Sequence, residues 1–398
     1  MDTVESARAI MLSAVHPIGS EPVPLHMAAN RILADSLFAA RDQPPFRSSA
    51  MDGYAVRSAD LARGQLSVVG EAAAGGAYLT ALKEGEAVRI FTGAPVPAGA
   101  DAVIAQERVR RVGAEVFVDE SVLPGKNVRE SAIDFAAGRL LIDAGAQLRS
   151  GDIALIAAAG IGSVNVGRTP RIALLATGSE IAVPGHAAGP YQIYDSVTFG
   201  LGAMIGSWGG LPMRLAASRD DTAAVSSAIG DVIGSADLLV IVGGASVGDY
   251  DIVKQALATL GLNISVSKVA VRPGGPTWFG TVGRTPVLGL PGNPAAAFVC
   301  AALFLRPLIG ALLAGSVSVD CVSAMLDGPV ARSGEREVYL RARVRIGDDA
   351  RLTVRPFDNQ DTSLVTIFAS ANALIRRPAG SASAQSGALV EVLLLDCR

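Results

Sequence analysis

The sequence predicts a multidomain α/β plus β protein built on a doubly wound, mostly parallel α/β sheet. A helical segment precedes the sheet, a small β domain is inserted early, and a C-terminal β-barrel-like domain closes the chain. Three observations predict it. Between 168 and 316, short Val/Ile/Leu-rich runs alternate with segments long enough for helices, and that alternation makes parallel strands joined by crossover helices. On both sides, in 43–139 and 317–398, the runs are short and broken by Gly and Pro, as in small β units. Finally, 398 residues exceed what a single core ordinarily covers.

The elements follow in order. The first segment places Val4, Ala7, Ile10, Met11 and Ala14 at helical spacing and reads as helical to about Arg41. Gln43-Pro44-Pro45-Phe46 breaks the pattern, because proline lacks an amide hydrogen and restricts the residue before it. In 43–139, Val68-Val69, Val88-Arg89-Ile90-Phe91 and Val103-Ile104-Ala105 are strands between turns. The Gly-rich stretch 140–167 returns to pack with 1–42 as a helical, linking domain. From 168 to 316 strands are expected at 171–176, 211–216, 238–242, 264–271 and 287–290. Helices are expected at 196–208, 222–234 and 250–260, and Pro294 opens a long apolar one. The C-terminal domain ends in a strand at 388–395, after a loop at 380–387.

Bulk properties exclude several classes. A formal charge of -3 supplies no concentrated basic face for nucleic acid. Lysines are few (Lys83, Lys126, Lys254, Lys268) and arginine carries the other positive charges. Cys300, Cys321 and Cys397 have no metal-ligand spacing and fit a reducing compartment, as small packed hydrophobes and one tail residue. Met1-Asp2-Thr3-Val4-Glu5 lacks the basic and apolar regions of a signal peptide. The longest apolar run, 295–305, is stopped by Arg306-Pro307, short of the ~20 residues that cross a bilayer. A cytoplasmic protein with no membrane partner is expected.

Chemistry is expected beyond the carboxyl ends of the parallel strands. Four of those ends carry turn residues: Thr177-Gly178-Ser179-Glu180, Gly243-Gly244-Ala245-Ser246-Val247-Gly248, Arg272-Pro273-Gly274-Gly275-Pro276 and Pro291-Gly292-Asn293-Pro294. One such loop is ordinary turn chemistry, and Asn293-Pro294 alone is a good helix start, Asn as cap and Pro in the first turn. Four on one edge, some leading into helix N-termini, point to a phosphorylated ligand. Glu180, Asp195, Asp249 and Asp251 share that edge. Carboxylates beside phosphates repel them unless a divalent cation such as Mg²⁺ intervenes. No P-loop and no G-x-G-x-x-G after a strand is present. His16, His26 and His186 have no paired spacing.

These loops, with others, resemble the molybdopterin molybdenumtransferase family, the bacterial MoeA proteins and the E domain of gephyrin. The similar segments include Pro45-Phe46-Arg47-Ser48-Ser49-Ala50-Met51-Asp52-Gly53-Tyr54-Ala55, Phe91-Thr92-Gly93-Ala94-Pro95-Val96-Pro97, Asn127-Val128-Arg129 and Ile193-Tyr194-Asp195-Ser196. They keep the family's order across nearly the whole chain. The resemblance implies a molybdopterin-binding α/β domain and a homodimer with shared active sites. It implies insertion of molybdate into adenylylated molybdopterin with release of AMP, helped by Mg²⁺. Molybdopterin adenylyltransferase or acceptor molybdoenzymes are the protein partners it suggests.

The same resemblance assigns roles. Glu180, Asp249 and Asp251 hold the metal and pyrophosphate. Gly243, Gly244, Ser246 and Gly248 hold phosphates, with Thr177, Gly178, Ser179, Asp195 and Ser196 also binding substrate. Lys268 and Arg272 neutralise charge, beside Pro273 and Gly274, while Pro291, Gly292, Asn293 and Pro294 shape an oxyanion pocket. Asp52, Thr92 and Asp134 reach the site of the other protomer. Three positions depart from the pattern. The family's Pro-Gly-Lys-Pro is here Pro273-Gly274-Gly275-Pro276, its Gly-Glu-Asp is Ala132-Ile133-Asp134, and Asp361 stands where glycine is usual. One lost charge-assisted phosphate contact costs about 1.5–3 kcal/mol. A non-catalytic or reduced-activity paralogue, binding the pterin nucleotide or serving as a dimeric scaffold, is therefore the alternative reading.

Overall fold

The computed structural model describes residues 1–215, 221–243, 252–315, 321–347 and 350–395. The central sheet has six strands in the order Leu211–Arg214, Arg171–Ala176, Leu238–Val242, Thr285–Leu290, Trp278–Val282, Leu262–Val266. The first four are parallel, and Trp278–Val282 runs antiparallel to both neighbours. Alternate residues feed opposite faces, as a strand requires. Ile172, Leu174, Leu238 and Val240 enter one core, and Ala173, Leu175, Leu239 and Ile241 the other.

Helices cover both faces, so the doubly wound class holds. On the first face lie α1 (Val4–Ser13), α3 (Val197–Ser207), α6 (Pro294–Cys300) and α7 (Arg306–Leu312); α2 (Ser150–Ala158) belongs to a separate core. On the second face lie α4 (Thr222–Ile233) and α5 (Ile252–Thr259). Short polar residues start two of them. Thr3 Oγ1 accepts the Ser6 amide at 3.1 Å, and the Asp221 carboxylate accepts the Ala224 amide at 2.9 Å.

The inserted β domain is a second six-stranded sheet, in the order Ala102–Ala105, Gly53–Val56, Glu86–Ile90, Gln65–Ala72, Glu115–Val118, Val109–Val112. The chain flanking it zips together: Ser20–Pro24 pairs with Ser163–Gly167, and Leu37–Phe38 with Leu140–Ile142. At the C-terminus, Cys321–Leu326, Glu337–Ile346, Leu352–Pro356, Ala373–Arg377 and Leu389–Leu394 close into a five-stranded barrel.

Several expectations are corrected. Among residues 1–41 the α-helix covers only Val4–Ser13, because Pro17, Pro22 and Pro24 deny the next segment its amide donors. The strand expected at 264–271 splits. Leu262–Val266 stays in the central sheet, and Val271–Arg272 pairs in parallel with the barrel at Glu337–Val338. Trp278–Val282 went unread as a strand. Arg306-Pro307 does not end the apolar helix, since a π-helical turn at Ala301–Leu305 absorbs the proline and continues into α7. Pro294–Leu312 thus has the length and hydropathy of a membrane span, but 83% of that stretch is buried inside the fold. Cys300 is buried as expected, Cys321 is exposed, and Cys397 lies outside the described residues.

Candidate active site

The parallel strands converge at their carboxyl ends, backbone on backbone. The Thr177 amide donates to the Val242 carbonyl at 3.0 Å, and the Gly243 amide donates to the Leu290 carbonyl at 3.2 Å. Gly243 has φ +91°, and a Cβ there would stand 2.7 Å from the Thr177 carbonyl oxygen. A Cβ on Gly292 would stand 3.5 Å from the Gly243 Cα. No larger residue fits at Gly243, so glycine is what lets the loops meet.

Beyond this junction lies a cavity of about 980 Å³, lined by Thr177, Gly178, Glu180, Tyr194, Asp195, Ser196, Gly243, Pro276 and 291–294, among others. That volume suits a nucleotide-sized ligand. The Glu180 carboxylate folds over Gly178, where both its oxygens would stand 2.6 Å from an added Cβ. Ser179 sits between them, its carbonyl accepting from Gln192 Nε2 at 3.2 Å. Gly244, Ser246, Gly248, Asp249 and Asp251 lie outside the described residues. Among the described residues, no three His, Cys, Asp or Glu side chains group as a metal site.

Two residues have structural work that their sequence positions concealed. Asp195 starts α3: one oxygen accepts the Thr198 amide at 2.9 Å and the other accepts the Thr198 hydroxyl. Asn293 precedes α6 but its side chain makes no cap bond. Its amide donates instead to Thr362 Oγ1 at 2.9 Å, and the Thr362 carbonyl accepts the Ala295 amide at 2.9 Å. The barrel therefore caps this helix, and one amide expected to face an anion is already bonded.

The segment 272–276 crosses from the barrel to the sheet and separates two cavities. Arg272 and Pro273 line a second one, of about 770 Å³, with Arg332, Arg336, Arg377, Asp361 and Thr362. Pro276, on the other side, lines the first. The partition is packed from behind. Gly274 has φ +111°, and a Cβ there would lie 2.0 Å from the Cys300 sulfur. The Thr277 hydroxyl donates to the Gly274 carbonyl at 2.7 Å and lies 3.1 Å from the Cys300 sulfur. Burial pushes the Cys300 thiol up to about 12, so it stays protonated and serves as packing. Lys268 lines neither cavity; its carbonyl accepts the Asp2 amide at 3.1 Å.

Two of the three departures acquire a physical setting here. Arg336 Nη1 stands 3.5 Å from the position a Gly275 Cβ would take. A cation from the barrel thus occupies the neighbourhood of the missing lysine. Asp361 turns inward on its own loop, accepting the Ser363 amide at 2.9 Å and hydroxyl at 2.7 Å. Those bonds, amide first, hold its carboxyl below the usual range.

The β domain carries the remaining residues. Asp52 Oδ1 accepts both the Thr92 amide and the Thr92 hydroxyl at 2.8 Å. The Thr92 amide, then its hydroxyl, with a smaller contribution from the charge of Arg89, hold Asp52 below the usual carboxylate range. The Asp134 amide donates to the Gln43 carbonyl at 3.0 Å, and its side chain is exposed. Ala132, two residues earlier, adopts a left-handed φ of +59°. None of Asp52, Thr92 and Asp134 lines either cavity of its own chain. Sequence reasoning missed Arg336 and Arg89. Arg89 was readable only as the residue facing Tyr54 across two paired strands.

Three family models cover most of the chain: the MoeA N-terminal region (domain I and II) over 2–160, a probable molybdopterin binding domain over 173–311, and the MoeA C-terminal region (domain IV) over 323–395. The chain is 35% identical to a molybdopterin molybdenumtransferase of Nostoc sp., covering 99% of this chain and 94% of that protein. It is 32% identical to the Haemophilus influenzae protein of the same name, over 94% of each. The crystal structure of a molybdopterin biosynthesis moea protein from Pyrococcus horikosii superposes with a TM-score of 0.87 at 32% identity, covering 100% of this chain and 99% of that one.

Proposed function

The chain belongs to the MoeA family of molybdopterin molybdenumtransferases, and from that premise we propose how its two cavities divide the reaction. The protein is a transferase of molybdenum cofactor biosynthesis. In this reading, adenylylated molybdopterin occupies the larger cavity, with its phosphates against Thr177, Gly178, Gly243 and Gly292. Molybdate, a small dianion, enters through the arginine-lined cavity beside Arg272 and Arg336. At the partition the two dithiolene thiols bond molybdenum and pass their protons to one molybdate oxygen, which leaves as water. A water attacks the pyrophosphate link, AMP departs with a phosphate left on the pterin, and the product leaves through the larger mouth. One observation carries the reading: the two linings adjoin along the chain, Arg272-Pro273 against Pro276 in one segment and Asp361-Thr362 against Ser363 in another.

Mg²⁺ belongs to the same proposal. Glu180 keeps a hard carboxylate at the cavity wall, over the bare face of Gly178, and that is the donor type Mg²⁺ prefers. With Asp249 and Asp251 it would hold the ion, which would neutralise phosphate charge. The departure at Gly275, which favoured a non-catalytic relative, weighs less beside Arg336, whose guanidinium stands 3.5 Å from where a side chain at 275 would begin.

The site is completed by a second copy of the chain. Asp52, Thr92 and Asp134 line neither cavity of their own chain, and Met51 and Ile133, their neighbours in sequence, are exposed (63% for Ile133). At the rim of the large cavity, Ile193 is 62% exposed beside Tyr191 and Tyr194. Each apolar surface supports burial against a partner. Calorimetry tests the ligand assignment. AMP should bind, more tightly with Mg²⁺, and absence of binding in either condition would remove the nucleotide from the larger cavity.

A further inference from the structure

Arg89 has no role in the reading above, yet it touches both sides of the Asp52–Thr92 pair. It lies in Glu86–Ile90, directly opposite Tyr54 in the antiparallel neighbour. Its guanidinium carbon stands 5.2 Å from the Tyr54 ring centre and 4.7 Å from that of Phe91. Both are cation–π distances, and Phe91 immediately precedes Thr92. Nη1 donates to the Gly53 carbonyl at 2.9 Å, one residue after Asp52. Nη2 donates to Gln106 Oε1 at 2.5 Å, and the backbone amide of the same Gln106 donates to the Asp52 carbonyl at 3.0 Å.

We propose that Arg89 is a positioning residue for the proposed second half of the active site. It ties the backbone around Asp52 to the residue before Thr92, so that the carboxylate is presented to the partner's cavity in one orientation. The planar, forked guanidinium is suited to this, bonding two acceptors while its faces rest on rings. Both acceptors are neutral, so the charge is not cancelled in place, which agrees with its effect on Asp52. Lysine offers one charge but neither the fork nor the plane.

This inference rests on the assignment of Asp52 to the active site, so the test separates the two. Full-length R89Q, R89K and D52A are compared with wild type for turnover and melting temperature, and Asp52 is titrated by carboxyl carbon NMR. R89Q should lower kcat about tenfold or more at unchanged KM for the pterin nucleotide, the scale of a small misplacement. Its Asp52 should titrate higher than in wild type, while R89K should restore that titration and part of the turnover. Wild-type turnover in R89Q with D52A inactive overturns the proposal. So does a slow R89Q whose Asp52 titrates as in wild type. If D52A keeps full turnover, the site assignment fails instead, and the R89Q titration alone decides whether Arg89 braces Asp52.

Discussion

The carboxyl edge of the central sheet and the Asp52 surface of the β domain are built by opposite means. The first is concave and made of backbone, with glycines at 178, 243 and 292 letting loops and a carboxylate meet at contact distance. The second lines neither of the two cavities, and its order comes from side chains: a carboxylate on a threonine, with an arginine bonded to the backbone beside it and within cation–π distance of two rings. A region that encloses a ligand can be assembled by one chain. A surface of fixed groups acts only on what another surface brings to it. The contrast argues that the two are halves of one site.

Filling the concave half should break it outright. G243A puts a methyl 2.7 Å from the Thr177 carbonyl, in a left-handed backbone besides. Activity as kcat/KM is expected to fall at least about a hundredfold, the effect of roughly 1 Å of displacement in a site. AMP affinity by calorimetry should fall with it, and unchanged affinity would show that the loops do not hold the nucleotide.

The surface half should respond through protonation. Asp52 has a depressed pKa when folded, so its contribution is present above the ordinary carboxylate value of ~3.9 and is lost as pH falls through the depressed value. T92V removes the hydroxyl and keeps the amide, so the acid limb of the activity profile should move up, towards that ordinary value and not past it. An unmoved limb would detach Thr92 from the ionisation of Asp52. At the partition, G275K should gain roughly twofold or less, because a lysine there would sit beside Arg336 and like charges oppose each other. A larger gain in molybdate-dependent turnover would mean that Arg336 does not serve the site. The smallest effect is expected at Ala132, whose left-handed φ of +59° costs alanine and not glycine. A132G should stabilise the protein by about 1 kcal/mol or less, read as a slight rise in melting temperature.

The fold was legible where burial is periodic. Strands such as Arg171–Ala176 and Leu238–Val242 are continuous apolar runs because both faces are covered. The pattern failed where chain continuity and sheet membership part company. The run through 264–271 looks like one strand, and only the barrel's claim on Val271 and Arg272 divides it. Trp278–Val282 is interrupted by Gly280, which is there because Asn263 passes within 2.4 Å of its Cβ position. The candidate site divides in the same way. The glycine loops announce themselves locally, and Thr177, Gly178, Glu180, Gly243 and Gly292 do come together. Arg336 and Thr362 reach the site from the barrel, and no local pattern marks a residue whose partner lies 60 or more positions away.

The shared site is the central claim, and mixed dimers test it most directly. D52A and E180A, each inactive as a homodimer, are combined in equal amounts under conditions of subunit exchange. Chance pairing makes about half of the dimers mixed. Each mixed dimer has one doubly damaged site and one intact site, because Asp52 of one chain then serves Glu180 of the other. Roughly a quarter of wild-type activity should return on this two-fold statistics. If exchange is confirmed by mass spectrometry and the mixture stays inactive, both residues serve one chain's own site and the account is wrong.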